Sequence, residues 1–269
     1  CVVMPEGVIA IDAPTLPQDA QTWRQQVEEV GAGPILYTVL TDAHPDRLLS
    51  AAVLGAPLVA AYPAFQRAES YTDGFWRTVV DSWSRQYPEI TAFLDGWEVG
   101  LPDLMFTESL TLHKGGQPLV VQQVDGGAPG SAWVHLEERD VLFAGDTVVV
   151  DRHPFMEATV DSKAWLNTLK RLRRSRFSDT KIVPGRGPVC KSEDTKVLSD
   201  YLALARRRAR SLLRGERSRV DKTAAANEIL EAFEVPEDVQ DIVRRRIKSG
   251  LDQLCEEFER KTMPQQKGD

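Results

Sequence analysis

Cysteine is scarce in this 269-residue chain, and the three present, Cys1, Cys190 and Cys255, are odd in number and far apart. Such spacing argues against a disulfide framework and points to reduced thiols in a cytoplasmic setting. Long apolar runs are also missing: none approaches the roughly 20 residues needed to span a bilayer, and no positively charged leader precedes an apolar stretch. A membrane-embedded protein is therefore not expected. The chain opens at Cys1 inside an apparent strand, which leaves open a preceding segment, a signal peptide included. Histidine is rare, at four residues. Of these, His113 and His135 sit in strand-like stretches and read as structural or solvent-facing. Nothing suggests disorder before the tail, and with 42% hydrophobic residues the chain can bury a full core.

Against this background the segment T-D-A-H-P-D-R, Thr41 to Arg47, stands out. Residues 34–40 before it read as a buried strand, and residues 46–54 after it carry the apolar spacing of a short helix. Asp42 and His44, two residues apart at a strand's end, point the same way, and Asp46 follows a turn later. Two carboxylates and an imidazole at such a place can hold a metal ion. The same residues also make an ordinary strand-to-helix turn, with Asp42 as N-cap and Pro45 at the first helical position.

Three later pieces fall in a fixed order: D-G-G-A-P-G-S (Asp125 to Ser131), V-L-F-A-G-D-T (Val141 to Thr147) and K-I-V-P-G-R-G-P-V (Lys181 to Val189). The second reads as a strand ending in Gly145-Asp146, the third as a short strand ending in a glycine-rich loop. Together with T-D-A-H-P-D-R and the opening P-E-G-V-I-A-I-D (Pro5 to Asp12), they resemble the metallo-β-lactamase superfamily. Its members carry H-x-H-x-D-H, G-H-[ST]-P-G-S, G-D and P-G-H-G-P in that order. The resemblance spans Cys1 to Val189. It implies an α/β chain folded as an αββα sandwich, here with a helical insert and a C-terminal helical extension.

It also implies where the family's ligands fall. The three histidines of the first metal site correspond to Asp42, His44 and Gly127. The aspartate and two histidines of the second correspond to Asp46, Arg47 and Arg186, and the bridging aspartate is Asp146. A guanidinium stays protonated and has no lone pair to donate, so Arg47 and Arg186 cannot be ligands. Placed at the second site, they can neutralise Asp46 and Asp146 in bidentate fashion, as cations that replace the metal. Asp42, His44 and Asp146 could still hold at most one zinc, iron or manganese ion with water completing the shell. No cofactor is the first expectation. His153, just past the Gly145-Asp146 strand, is a candidate for the same mouth.

The remaining chain divides into a lactamase-like domain (1–190), a charged helical extension (191–262) and a disordered tail (263–269). An insert at about 62–97 carries aromatics at helical spacing; of these, Tyr71 and Trp76 are candidates for lining a cleft, with Gly127 and His153. Helices are expected over 194–213, 223–233 and 237–260, with apolar stripes that must be covered by the core or by a second copy in a homodimer. Charge is uneven: residues 1–160 carry 8 Lys+Arg against 22 Asp+Glu, and residues 161–269 carry 25 against 18. The basic runs at 206–210 and 244–246 lack aromatic interleaving, which keeps nucleic-acid binding a weak expectation. Three functions follow. The first is a pseudoenzyme with a degenerate metal centre that binds a small molecule or a protein partner. The second is a mononuclear hydrolase cleaving an ester, thioester, lactone or phosphoester with Asp46 in a catalytic role. The third is a nucleic-acid-binding relative using the C-terminal helices.

Overall fold

Short β-branched and apolar runs at the start of the chain pair before any helix forms. Val2–Met4 (β1) and Gly7–Ile11 (β2) make an antiparallel hairpin. After helix Pro17–Glu29 (α1), strand Ile35–Val39 (β3) joins β2 in parallel. Helix Pro45–Ala51 (α2) leads through a 3-10 turn at Ala52–Leu54 to strand Leu58–Ala61 (β4) and helix Tyr62–Glu69 (α3). Helix Asp73–Gln86 (α4) follows, then strand Leu104–Phe106 (β5). Parallel pairing of β3 with β4 and of β4 with β5 completes a mixed five-stranded sheet in sequence order. Strands Ser109–Leu112 (β6), Leu119–Gln123 (β7), Ala132–Leu136 (β8) and Val141–Val149 (β9) form successive antiparallel pairs of a second sheet.

This computed structural model describes residues 1–88, 99–214 and 221–262. The chain separates into two compact units, Cys1–Val124 with Gly130–Phe143, and Asp125–Pro129 with the chain from Ala144 onward. The unit boundary lies inside β9. In the first unit, side chains alternate across the sheet as the period of two requires. Ile9, Val39, Val59 and Ala61 face Leu119, Val121, Ala132 and Val134 of the second sheet in one core. Their neighbours Leu40, Leu58 and Ala60 face the other way onto Leu48 and Ala51 of α2 and Ala64 and Ala68 of α3. Ala10 likewise meets Ala20 of α1. Two mixed sheets with helices outside them are the expected αββα arrangement.

The second unit holds the end of β9, strand Lys181–Arg186 (β10) beside it, and helices Ser162–Leu172 (α5), Thr195–Leu213 (α6), Lys222–Leu230 (α7) and Gln240–Thr262 (α8). Trp165 of α5 is fully buried and donates its indole N–H to the Thr147 carbonyl of β9 at 2.9 Å. The apolar stripes of the last three helices are covered inside this unit: Leu198, Tyr201, Leu202, Ile229, Ile247, Leu251 and Leu254 are all buried. α6 packs on α5, and α8 on α6 and α7. Among the described residues no helix is long and apolar enough to cross a membrane.

Local expectations needed four adjustments. β9 runs on to Val149 and does not stop at Gly145-Asp146, because Gly145 takes a left-handed φ of 54° within the strand. The described part of the insert is two helices, α3 and α4, separated at 70–72, where Thr72 caps α4 by accepting the Phe75 N–H at 3.2 Å. α2 is capped by His44 and not by Asp42. The helix expected from 237 begins as a 3-10 turn, Glu237–Val239, before α8. The expected helical piece at 90–94 and the tail 263–269 lie outside the described residues.

Candidate functional site

Parallel pairing of β2 and β3 delivers the carboxyl ends of both strands to one edge. Ile11 lies opposite Val39, so Asp12 and Thr41 emerge side by side. Asp12 adopts a left-handed φ of 57° and accepts both the backbone N–H and the hydroxyl of Thr41, each at 2.7 Å. The chain then turns: Asp42 Oδ1 accepts the His44 N–H at 2.8 Å, and His44 Nδ1 accepts the Asp46 N–H at 3.2 Å. Pro45 at the first helical position and Asp46 in the first turn suit the start of α2. Side chains on a helix lean toward its N-terminus, so Arg47 reaches back over this turn. Its Nε lies 2.9 Å from Asp12 Oδ2 and 3.1 Å from Thr41 Oγ1, and its Nη1 lies 3.2 Å from Asp42 Oδ1. The Arg47 side chain is 6% exposed and that of Asp42 2%, so the base and one acid are buried, while Asp12, at 20%, borders solvent. Asp46 Oδ2 lies 3.5 Å from His44 Nδ1.

The second unit has its own pair. Arg186, the last residue of β10, donates from Nε to Oδ2 of the buried Asp146 at 3.1 Å. Gly185 is required beside it, because a Cβ there would fall 2.1 Å from Asp146 Oδ1. The Arg186 guanidinium also lies 4.4 Å from the Phe155 ring centroid, and that of Arg246 lies 3.8 Å from the same ring. Gly127 is buried, and a Cβ there would meet the Phe155 carbonyl at 3.2 Å and Trp165 at 3.3 Å. A larger side chain at 127 therefore forces its neighbours to move.

His153 is packed inside this unit. Its Nδ1 is 3.1 Å from the Tyr201 hydroxyl, and its ring meets those of Tyr201 and Phe233 edge-on. Burial pushes its pKa below the ordinary value, helped by the Arg246 charge and opposed by the Phe233 and Leu230 backbones. A histidine held neutral in the fold gives stability that is complete above the unfolded value of 6.5 and lost as pH falls through it. The difference in urea midpoint between the parent and His153→Asn should therefore narrow between about pH 7.5 and about pH 5. A difference that stays constant would show that His153 contributes no pH-dependent stability.

In the first unit, Tyr71 and Trp76 line a cavity of about 530 Å³. Their rings meet edge-on at 5.6 Å, and Phe75 stacks on Tyr71 at 4.2 Å. The Tyr71 hydroxyl donates to the Ala43 carbonyl at 3.0 Å, which ties the cavity wall to the turn bearing Asp42 and His44. Burial raises the Tyr71 pKa, Arg67 acts against that rise, and Asp42 adds to it.

The metallo-β-lactamase superfamily profile matches residues 14–186, well over half the chain. The chain belongs to this superfamily. A metallo-β-lactamase family protein from Thermus thermophilus shares 21% identity over 96% of this chain and 87% of its own, with a TM-score of 0.63. A metallo-β-lactamase from Pontibacter korlensis shares 21% identity over 75% and 85%, with a TM-score of 0.57. A stereoselective inverting sec-alkylsulfatase from Pseudomonas sp. shares 14% identity over 95% of this chain and 46% of its own, with a TM-score of 0.64. At such identities the likeness is one of fold. No curated protein matches.

A superfamily metal needs three or four converging nitrogen, oxygen or sulfur donors. Among the described residues no group of three or more His, Cys, Asp or Glu side chains could hold one. As the first unit stands, its donors do not fit a divalent ion: Asp42 Oδ1 already faces a permanent cation, and His44 Nδ1 is engaged by a backbone N–H. A neutral His44 then carries its proton on Nε2. Sequence reasoning singled out Asp42, His44, Asp46, Asp146 and both arginines, and it missed Asp12 as a partner of Arg47. Its available signal was its place at the end of β2.

Proposed function

We propose that this chain is a metallo-β-lactamase-fold protein that works by binding, with guanidinium charge doing the electrostatic work that metal does in its relatives. The observation that carries this reading is Arg47, buried between Asp12 and Asp42 and holding both. The Arg186–Asp146 pair supports it from the second unit. A cation already bonded to carboxylates weakens their affinity for a divalent ion by direct repulsion and by using their lone pairs. Hydrolysis by water activated on a single metal ion, with Asp46 in a catalytic role, is the competing reading.

Elemental analysis of protein purified without chelator separates the two. The expected result is far less than one equivalent of zinc, iron or manganese per chain. A stoichiometric ion that survives dialysis overturns the binding reading. The double substitution Arg47→His with Arg186→His should raise zinc affinity, because two lone-pair donors replace two fixed charges. If that variant stays metal-free and is as stable as its parent, arginine does not take the metal's part.

A further inference from the structure

The cavity beside Tyr71 has a composition of its own. One face of α4 supplies Asp73, Trp76, Arg77, Val80 and Asp81, at the three- and four-residue intervals of a single helical stripe. Charged and apolar residues alternate along it, Asp73, Arg77 and Asp81 being exposed and Trp76 and Val80 half-buried. Here Trp76 and Val80 reach a core cluster with Leu16 and Leu49, yet both also line the open cavity. Glu69 and Leu101 complete the part of the wall that matters for charge and apolar area. Among the described lining residues, three carboxylates therefore stand against one guanidinium around a floor of tryptophan, valine and leucine.

That combination selects by charge. An anion would meet three carboxylates, offset only in part by Arg77 in the wall and by Arg67 beside the Tyr71 ring. A neutral apolar guest would gain nothing from the carboxylates' charge. A cation on an apolar body satisfies both parts, since its charge pairs with Asp73 or Asp81 while its body covers Val80 and Leu101. Tryptophan is the best aromatic partner for a cation, and this aromatic cluster already attracts one: the Arg67 guanidinium lies 5.0 Å from the Tyr71 centroid. We propose that this cavity is a binding site for an organic ammonium ion carried on an apolar group, with Trp76 as its platform and Asp73 and Asp81 as its counter-charges. The Tyr71–Ala43 hydrogen bond makes the site continuous with the T-D-A-H turn. The proposal supplies a ligand class for the binding reading and rests on that reading for its role, but the cavity's chemistry does not depend on metal content.

Titration calorimetry on the full chain, with and without chelator, tests it with three probes of similar shape: benzyltrimethylammonium, benzyl alcohol and phenylacetate. The ammonium ion should bind roughly tenfold or more tightly than the alcohol, and phenylacetate should not bind. Asp73→Asn with Asp81→Asn should weaken the ammonium ion by roughly tenfold, and added salt should do the same in part. Arg77→Gln should strengthen it, which gives a second reading if the acid variant folds poorly. Equal affinity for the alcohol, or affinity unchanged in both variants, overturns the proposal; so does an absence of binding by the ammonium ion. Binding that persists in chelator while the chain carries a stoichiometric ion would remove the metal-free reading and leave this site standing.

Discussion

Replacing Arg47 by methionine should destabilise the protein by about 3–5 kcal/mol, the cost typical of breaking a buried ion pair by removing one partner. The methionine fills much of the same volume, so the loss reports charge and hydrogen bonding more than packing. Without the guanidinium, Asp42, at 2% exposure, and Asp12 are left facing one another at the sheet edge. Thr41 also loses the Nε donor that reaches its hydroxyl. Lysine should rescue poorly: one ammonium cannot reproduce the fork that sends Nε to Asp12 and Nη1 to Asp42. Adding Asp42→Asn to the methionine variant should restore part of the loss, because one of the two carboxylates that faced the guanidinium is then neutral. Urea denaturation at neutral pH measures all three. A loss below about 1 kcal/mol for Arg47→Met would mean that solvent, not arginine, neutralises these acids.

The frame of this fold was legible because each motif sits where an apolar run stops. The runs before Asp12, Thr41 and Arg186 each read as strands, and their order alone pointed to the superfamily. Arg186 beside Asp146 followed from the same alignment. The partner of Arg47 did not. Asp12 precedes Thr41 by 29 residues, and only the parallel register of β2 and β3 brings them together. No local pattern states that register. The surroundings of His153 were hidden for a related reason: its ring partners Tyr201, on α6, and Phe233, just past α7, arrive 48 or more residues later. Gly145 and Asp146 looked like a strand end because glycine there usually marks a turn, and β9 instead absorbs the left-handed residue and continues.

The second large effect is expected at Glu257, on α8. Its side chain is 1% exposed, and its carboxylate accepts the Ser162 N–H at 3.0 Å and the Ser162 hydroxyl. Arg206 of α6 lies 3.3 Å from its other oxygen and Lys261 2.9 Å away. One acid thus gathers the start of α5, the middle of α6 and the end of α8. Glu257→Ala should cost about 3–5 kcal/mol, since it leaves buried Arg206 without this counter-charge and opens a void among three helices. Burial alone would raise the Glu257 pKa, but the Ser162 and Lys261 bonds outweigh it and hold the value below 4.5. A depressed carboxylate contributes stability that is complete above its unfolded pKa and lost as pH falls through the folded value. Acid unfolding of the parent should therefore show a component below about pH 4.5 that Glu257→Gln lacks, while the glutamine variant keeps most of the packing. Parallel acid-titration curves for parent and glutamine variant would show that the carboxylate's charge is not what binds these helices together.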